Sequence, residues 1–435
     1  MTSIQIGLLG VVILIALLFM GMHIGMAMSL VGFFGYIAVT GKIQAALGMF
    51  MSTPFTTCAN FSLSVIPMFT LMGTICFYAG ISSELYAACY KLLSRTRGGL
   101  SVATIVACAG FGAICGSSTA TVASMGVVCM PEMRKYGYKD TLTCGSISAG
   151  GTLGILIPPS VAFMLYGINA EVAVGKLFVS GIIPGIILTV LYSLTVAVIC
   201  RLDPDAGPQG PTFTTKEKII ALKGIFPIIV LFVLVLGGIF FGWTTPSEGG
   251  AIGASGAMVF MILRGQFTMK NIFAALKDAV QTSAMIFFIM IGAYIFGYFL
   301  TVSRLPTVLA KWVASSGVSP YLVLAACLGI FAALGCFVDA LPLIVLLVPI
   351  FVPIMRSLSF NLIWFGCLMV FMTQLGLLTP PVGMCCYVMA GMAKDVSLST
   401  VFKGTTPFLI ALIAVTVIVI AFPGLATWLP GLMYN

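Results

Sequence analysis

Stretches of about twenty apolar residues recur from one end of the chain to the other, separated by short polar connections. A bilayer's hydrocarbon core takes ~20 apolar helical residues to cross, so the pattern predicts a bundle of membrane-spanning helices. Ten crossings are expected, roughly at 4–22, 24–40, 61–80, 139–168, 175–200, 219–242, 249–265, 280–301, 360–393 and 404–429. The first has no basic residue before it and no convincing cleavage site, and reads as a retained span, not a leader peptide. Two more stretches, 99–134 and 319–356, are too long for one crossing and too short for two. Each has a polar or glycine-rich centre: CGSSTAT at 115–121 and GCFVDALP at 335–342. A re-entrant helical hairpin, entering and leaving on one side, accommodates both. Irregular backbone at that depth is tolerated only inside protein or along a cavity.

The two halves match. A shift of 222 residues carries Gly154, Pro158 and Pro159 onto Gly376, Pro380 and Pro381, and Pro131 and Met133 onto Pro353 and Met355. Proline lacks a backbone donor and blocks helix continuation, so each double proline breaks an otherwise apolar segment. Paired broken segments in two halves point to a transporter's binding site.

Loop charge supplies the orientation. With the hairpins returning to their own side, one face collects Lys91, Arg95, Arg97, Arg134, Lys135, Lys139, Arg201, Lys216, Lys218, Lys223, Arg264, Lys270, Lys277, Lys394 and Lys403. The other receives only Lys42, Lys176, Arg304, Lys311 and Arg356. By the positive-inside rule the first face is cytoplasmic, which puts both termini outside. Five crossings per half is odd, so the second half is expected upside down relative to the first. The expected organisation is a first inverted repeat at 1–200, a polar cytoplasmic linker at 201–218 and a second repeat at 219–435. Segments 82–97 and 304–316 mix charged and apolar residues and read as interfacial amphipathic helices, or failing that as ordinary loops.

Composition agrees with an all-α polytopic membrane protein: 60% hydrophobic residues, 7% charged and a mean hydropathy of +1.19 exclude a soluble globular chain. The net charge of +9 follows the loops, so it fits lipid and not nucleic acid. Thirteen cysteines lie largely in apolar segments without metal-ligand partners, as small packing residues do. A single histidine, His23, leaves no His-based zinc site or proton-relay cluster, and no phosphate-binding loop suggests an ATPase. Neither a continuous polar pore lining, as in a channel, nor a catalytic constellation, as in an enzyme, is visible.

A hairpin tip meeting a broken helix supplies free carbonyls, hydroxyls and helix N-termini. The oxygens suit a small hard cation and the N-termini an anion. In the first half the candidates are Gly116, Ser117, Ser118 and Thr119 at the tip, with Thr152, Gly154, Pro158, Pro159 and Ser160 at the break. In the second they are Gly335, Asp339 and Ala340 at the tip, with Thr373, Gln374, Gly376, Thr379 and Pro380 at the break. Such small residues also serve close helix packing. Asp339, the one acidic residue placed deep in an apolar segment and the repeat equivalent of Ser117, either binds a cation or caps the helix after the tip. Glu248 reads as a cap at a turn, and His23 as structural. With essentially one buried titratable candidate beside many neutral oxygens, sodium coupling is favoured over proton coupling. No Lys or Arg falls in the core, so a carboxylate substrate would be held by dipoles, hydroxyls and bound Na+.

These segments resemble the large membrane (M) subunit of the TRAP (tripartite ATP-independent periplasmic) transporters, within the ion-transporter superfamily. The likeness runs through GSSTATVASMGVVCMPEMRKYGYKDTLTCGSISAGGTLGILIPPSVAFMLYG (116–167), TTPSEGGAIGA near Glu248, GCFVDALPLIVLLVPIFVPI from 335 and LGLLTPPVG at 375–383, and so covers nearly the whole chain. It implies sodium-driven uptake of an organic acid, such as a C4-dicarboxylate or sialic acid, delivered by a periplasmic substrate-binding protein (P). It also implies a small membrane (Q) subunit, a bacterial inner-membrane location, an elevator-type motion and no organic cofactor. By that likeness Ser117, Ser118, Gly154, Pro158, Gly335, Gly376 and Thr379 fall in ion or substrate regions, and Na+ is placed at Ser117, Ser118, Gly154, Gly335, Gly376 and Thr379. The alternative is a stand-alone carrier of the divalent-anion/sodium symporter type. Those carry Ser-Asn-Thr at the equivalent tips; here the first reads Ser117-Ser118-Thr119 and the second lacks the triplet, which favours TRAP.

Overall fold

The computed structural model describes residues 1–433 and is helical throughout; among the described residues a lone bridge between Arg97 and Gln209 is the only β-type pairing. Both double-proline segments break their helices as expected. The first broken helix runs Asp140–Thr152, passes through a tight turn at Leu153–Ile155, and restarts as Val161–Ala170. The second runs Leu362–Leu378 and restarts as Met384–Met392. The long stretches before them are helix pairs. Gly99–Cys115 and Ser118–Lys135 form the first hairpin, and Pro320–Gly335 and Ala340–Ser357 the second. The shift of 222 carries the bounds of Ser118–Lys135 onto those of Ala340–Ser357, and the start of Asp140–Thr152 onto that of Leu362–Leu378.

The helices sort into two groups. Ser3–Phe19, Ile24–Thr40, Val65–Tyr78 and Pro246–Leu263 gather around the 35-residue helix Met269–Ser303 or its neighbours. Gly25 and Gly292 let two of these backbones touch, since a Cβ on Gly292 would lie 2.2 Å from the Gly25 carbonyl oxygen. Tyr78 Oη donates to Asp278 Oδ2 at 2.7 Å and ties Val65–Tyr78 to the same long helix. The second group joins the hairpins and broken helices to Ile182–Leu202 and Leu398–Ala421. Here Gly145 and Gly404 make the close approach, and Trp364 Nε1 donates to the Val419 carbonyl at 2.8 Å.

The outer surface is apolar. On Ile182–Leu202 the exposed residues Ile186, Val190, Leu194, Val198 and Leu202 form one stripe at four-residue spacing, a surface that water does not tolerate and lipid does. Among the described residues five helices are long and apolar enough to cross a bilayer alone: Phe61–Tyr78, Val174–Leu202, Met269–Ser303, Ala340–Ser357 and Leu398–Ala421. The expected crossings at 4–22, 24–40, 139–168 and 360–393 are shorter helices or are split at their breaks.

Several elements depart from expectation. The stretch between the second and third expected crossings, where no helix is expected, is the helix Ile43–Cys58. Its Ser, Thr and Pro54 hid the helical pattern, and three of its threonine and serine hydroxyls bond back to its own carbonyls, Thr53 to Met49 for one. The expected crossing at 219–242 is bent by 42° between Thr215–Gly224 and Phe226–Phe240, where Pro227 lacks a donor. The one at 404–429 divides into Leu398–Ala421 and Gly424–Gly431 at Pro423. The segment 201–218 is tied to the first hairpin. The Gly98 amide donates to the Gly207 carbonyl, the Gly210 amide to Ser94, and Lys139 pairs with Asp203 at 2.6 Å, strapping it across the base of the first hairpin. The stretches 82–97 and 304–316 do form helices, Ile81–Leu93 and Leu305–Ser315.

Candidate functional site

The two hairpin tips come together. Ser117, Ser118 and Thr119 from the first and Asp339 and Ala340 from the second line one cavity of about 360 Å³. Its other walls come from the break residue Ile155, from Leu377 and Val388 of the second broken helix, and from the first helix group. Each tip ends as a helix N-cap. Ser117 Oγ accepts from the Ala120 amide at 3.4 Å, and Asp339 Oδ1 from the Ala340 amide at 2.8 Å. The repeat equivalents Ser117 and Asp339 therefore perform the same local task, and the cap reading of Asp339 is realised while the carboxylate still borders the cavity. The N-termini of two helices of 18 residues each thus open onto one space. Each carries roughly half a positive elementary charge, and among the described residues no Lys or Arg lines the cavity.

The tips also meet the breaks. A Cβ on Gly112 would sit 2.5 Å from the Gly154 Cα, and one on Gly154 would lie 3.0 Å from the Ser117 carbonyl oxygen. A Cβ on Gly376 would lie 2.3 Å from the Gly335 carbonyl carbon. Glycine is required because backbone touches backbone. Around the first contact, Thr121 Oγ1 donates to the Ser117 carbonyl at 2.7 Å and Ser118 Oγ reaches the Thr152 carbonyl at 3.5 Å. Gly116, with φ of +64°, turns the tip beside the Pro159 carbonyl. The Pro158–Pro159 and Pro380–Pro381 peptides are both cis, and Ser160 caps the restarted helix. Around the second contact, Thr379 Oγ1 donates to the Leu375 carbonyl at 2.6 Å, and the Gly383 amide to the Cys336 carbonyl at 3.4 Å. Both regions are dense in carbonyl and hydroxyl oxygens, the donors a small hard cation takes.

Not every candidate side chain reaches these contacts. The Thr152 hydroxyl donates to the Ala149 carbonyl and lies 3.4 Å from Tyr192 Oη. The Thr373 hydroxyl is engaged by the Val370 carbonyl at 2.7 Å. Gln374 is 0% exposed, with neither end of its amide bonded to protein. Glu248 completes a capping box with Thr245 and is a cap. His23 occupies the N-cap position of Ile24–Thr40 without a side-chain bond.

Sequence reasoning missed the opposite wall. Thr70, Gly73 and Thr74 on Val65–Tyr78 and Thr282 on Met269–Ser303 face the tips across the cavity. Thr70 and Thr74 stand one turn apart in an apolar helix, a signal that was present. No local motif distinguishes them from packing residues.

The model of the family "Tripartite ATP-independent periplasmic transporter, DctM component" matches residues 11–425. The chain belongs to this family. Among TRAP relatives it is 31% identical to the C4-dicarboxylate TRAP transporter large permease protein DctM of Pseudomonas aeruginosa, over 87% of this chain and 88% of that protein. It is 29% identical to the sialic acid TRAP transporter large permease protein SiaM of Vibrio cholerae, over 96% and 97% of the two chains. The crystal structure of the Alcanivorax borkumensis YdaH transporter superposes with a TM-score of 0.65 at 17% identity, covering 90% of both chains, a likeness of fold. This TRAP large permease chain is accordingly a multi-pass membrane transporter subunit and not an enzyme.

Proposed function

We propose that this chain is the permease through which a carboxylate, handed over by a periplasmic binding protein, crosses the bacterial inner membrane with Na+. The observation carrying the reading is the cavity between the tips, faced by two helix N-termini, with Ser and Thr hydroxyls set among apolar side chains. An organic anion fits that lining, and the names of the DctM and SiaM relatives make C4-dicarboxylates and sialic acid the first to test. Na+ binds where each tip meets its break, among the oxygens around Ser117, Ser118 and Gly154 and around Gly335, Gly376 and Thr379. The two repeats are inverted, with the Lys- and Arg-rich loops cytoplasmic and both termini periplasmic. The first helix group is a scaffold with which a small membrane subunit associates. The hairpins and broken helices move against it as an elevator.

Thermal unfolding in NaCl against choline chloride at equal ionic strength tests the ion. A ligand at ~100 times its Kd stabilises by about 2.7 kcal/mol, so a saturable, sodium-specific rise in Tm is expected. A flat response would sink sodium sites in the isolated subunit and return attention to Asp339 as a proton carrier. Uptake by proteoliposomes with no binding protein present would favour a stand-alone carrier.

A further inference from the structure

At the far ends of the hairpins lie two ion clusters that the transport site does not use. Arg134 closes the returning arm of the first hairpin, and the 222-residue shift places Arg356 at the same point of the second. Arg134 Nε donates to Asp140 Oδ1 at 2.9 Å, at the start of the first broken helix. Its Nη1 lies 2.9 Å from Asp395 Oδ2, in the loop leaving the second broken helix. Arg356 Nη2 donates to the carbonyl of Ala170, the last residue of the first broken helix, at 2.9 Å, and lies 3.9 Å from Glu171. Each arginine reaches out of its own half to the trailing end of the other half's broken helix.

The crossing answers a mechanical need. The cavity takes one wall from each half, Ser117 from the first and Asp339 from the second. Between those two residues the chain runs through the bent segment Thr215–Gly224 and Phe226–Phe240 and the scaffold helix Met269–Ser303. The covalent route therefore leaves the body that must hold the tips in register, and the register has to come from contacts within it. A guanidinium set between two carboxylates supplies direction as well as charge.

We propose that Arg134 and Arg356 are positioning residues whose crossed clasps hold the two hairpins and two broken helices as one body, keeping the tips at ion-binding distance from their breaks. The proposal rests on the sodium-coupled reading above. Arg134, with two carboxylates at 2.9 Å, is the stronger clasp; Arg356, with its carboxylate at 3.9 Å, is the weaker.

The test is a sodium titration of Tm in the full-length protein, with choline as the counter-titrant. The double variant Arg134→Cys/Asp395→Cys should raise the half-saturating sodium concentration roughly two- to fivefold, as the loss of a partly exposed charge pair implies. Joining the two thiols with a short bis-maleimide should bring it back, with reagent-treated wild type as the control for native cysteines. Should the double variant fail to fold, Asp395→Asn leaves the Arg134–Asp140 pair intact and should shift the titration in the same direction. A variant that melts lower yet titrates sodium like wild type, or a cross-link that does not restore the titration, would overturn the clasp. No sodium-specific rise in wild type would overturn the sodium reading itself, and the clasp with it.

Discussion

Gly376→Ala is the sharpest probe of the site, because the structure leaves no room for a methyl group. Its Cβ would lie 2.3 Å from the Gly335 carbonyl carbon, 2.5 Å from the Cα and 2.6 Å from the oxygen. Carbon atoms pack best at ~3.5–4.0 Å, so the second hairpin's tip has to retreat by about 1.2 Å. All three obstructing atoms are backbone, and no rotamer change relieves them. Overpacking of this kind costs ~1–3 kcal/mol. If the strain falls on the ion-bound arrangement, half-saturating sodium rises roughly 5- to 150-fold, at tenfold per ~1.4 kcal/mol. The assay is the NaCl-against-choline melt, read for both midpoint and titration. Gly329→Ala is the control: it lies on the hairpin arm that carries Gly335, and its Cβ would meet nothing within 4 Å. As a helix-interior glycine it should gain about 0.5–1 kcal/mol. A Gly376→Ala protein that melts and titrates like wild type would mean that tip and break do not touch there, and the site as described would fall.

Asp339→Asn keeps an N-cap of equal quality, so Tm should hold within a degree or two while uptake falls; normal uptake would reduce Asp339 to a cap. Thr74→Val, in the wall opposite the tips, should raise the KM for the transported carboxylate by roughly 2- to 12-fold, the worth of one hydrogen bond, with stability unchanged; an unmoved KM would remove that wall from the binding site. Hydrogen-bonding to Arg134 and Lys139 holds the Asp395 and Asp203 carboxyls below the usual carboxylate range. Their stabilisation is therefore complete above the unfolded value of ~3.9 and is lost as pH falls through the lower folded values. In melts from pH 7 to pH 3, the advantage of wild type over Asp395→Asn and Asp203→Asn should persist to about pH 4 and decline below it; an advantage that grows in acid would reverse the sign of the argument.

Much of this protein is written locally. Apolar runs specify helices, double prolines break them and a Gly-Ser tip ends one, because these preferences act within a few residues. The 222-residue shift was legible before any coordinate, and helix bounds obey it. Even the resemblance to the TRAP large subunit rests on short contiguous motifs around those same breaks. Tertiary structure decided what meets what. Ser117 and Asp339 are 222 residues apart in the chain; the internal match marks them as equivalents, but only the tertiary structure brings them to one cavity. Thr70, Thr74 and Thr282 read as ordinary helix residues until the first group closes over the tips. The helix Ile43–Cys58 is masked by its own Ser, Thr and Pro54; its Ser and Thr hydroxyls bond back to the backbone as readily as they mark a loop. The hydrogen bonds that strap 201–218 to the first hairpin are likewise invisible in composition, because their partners lie far off in the chain. Local chemistry chooses the elements; the complementarity of their surfaces, a glycine against a glycine or an arginine against a distant carboxylate, chooses their partners.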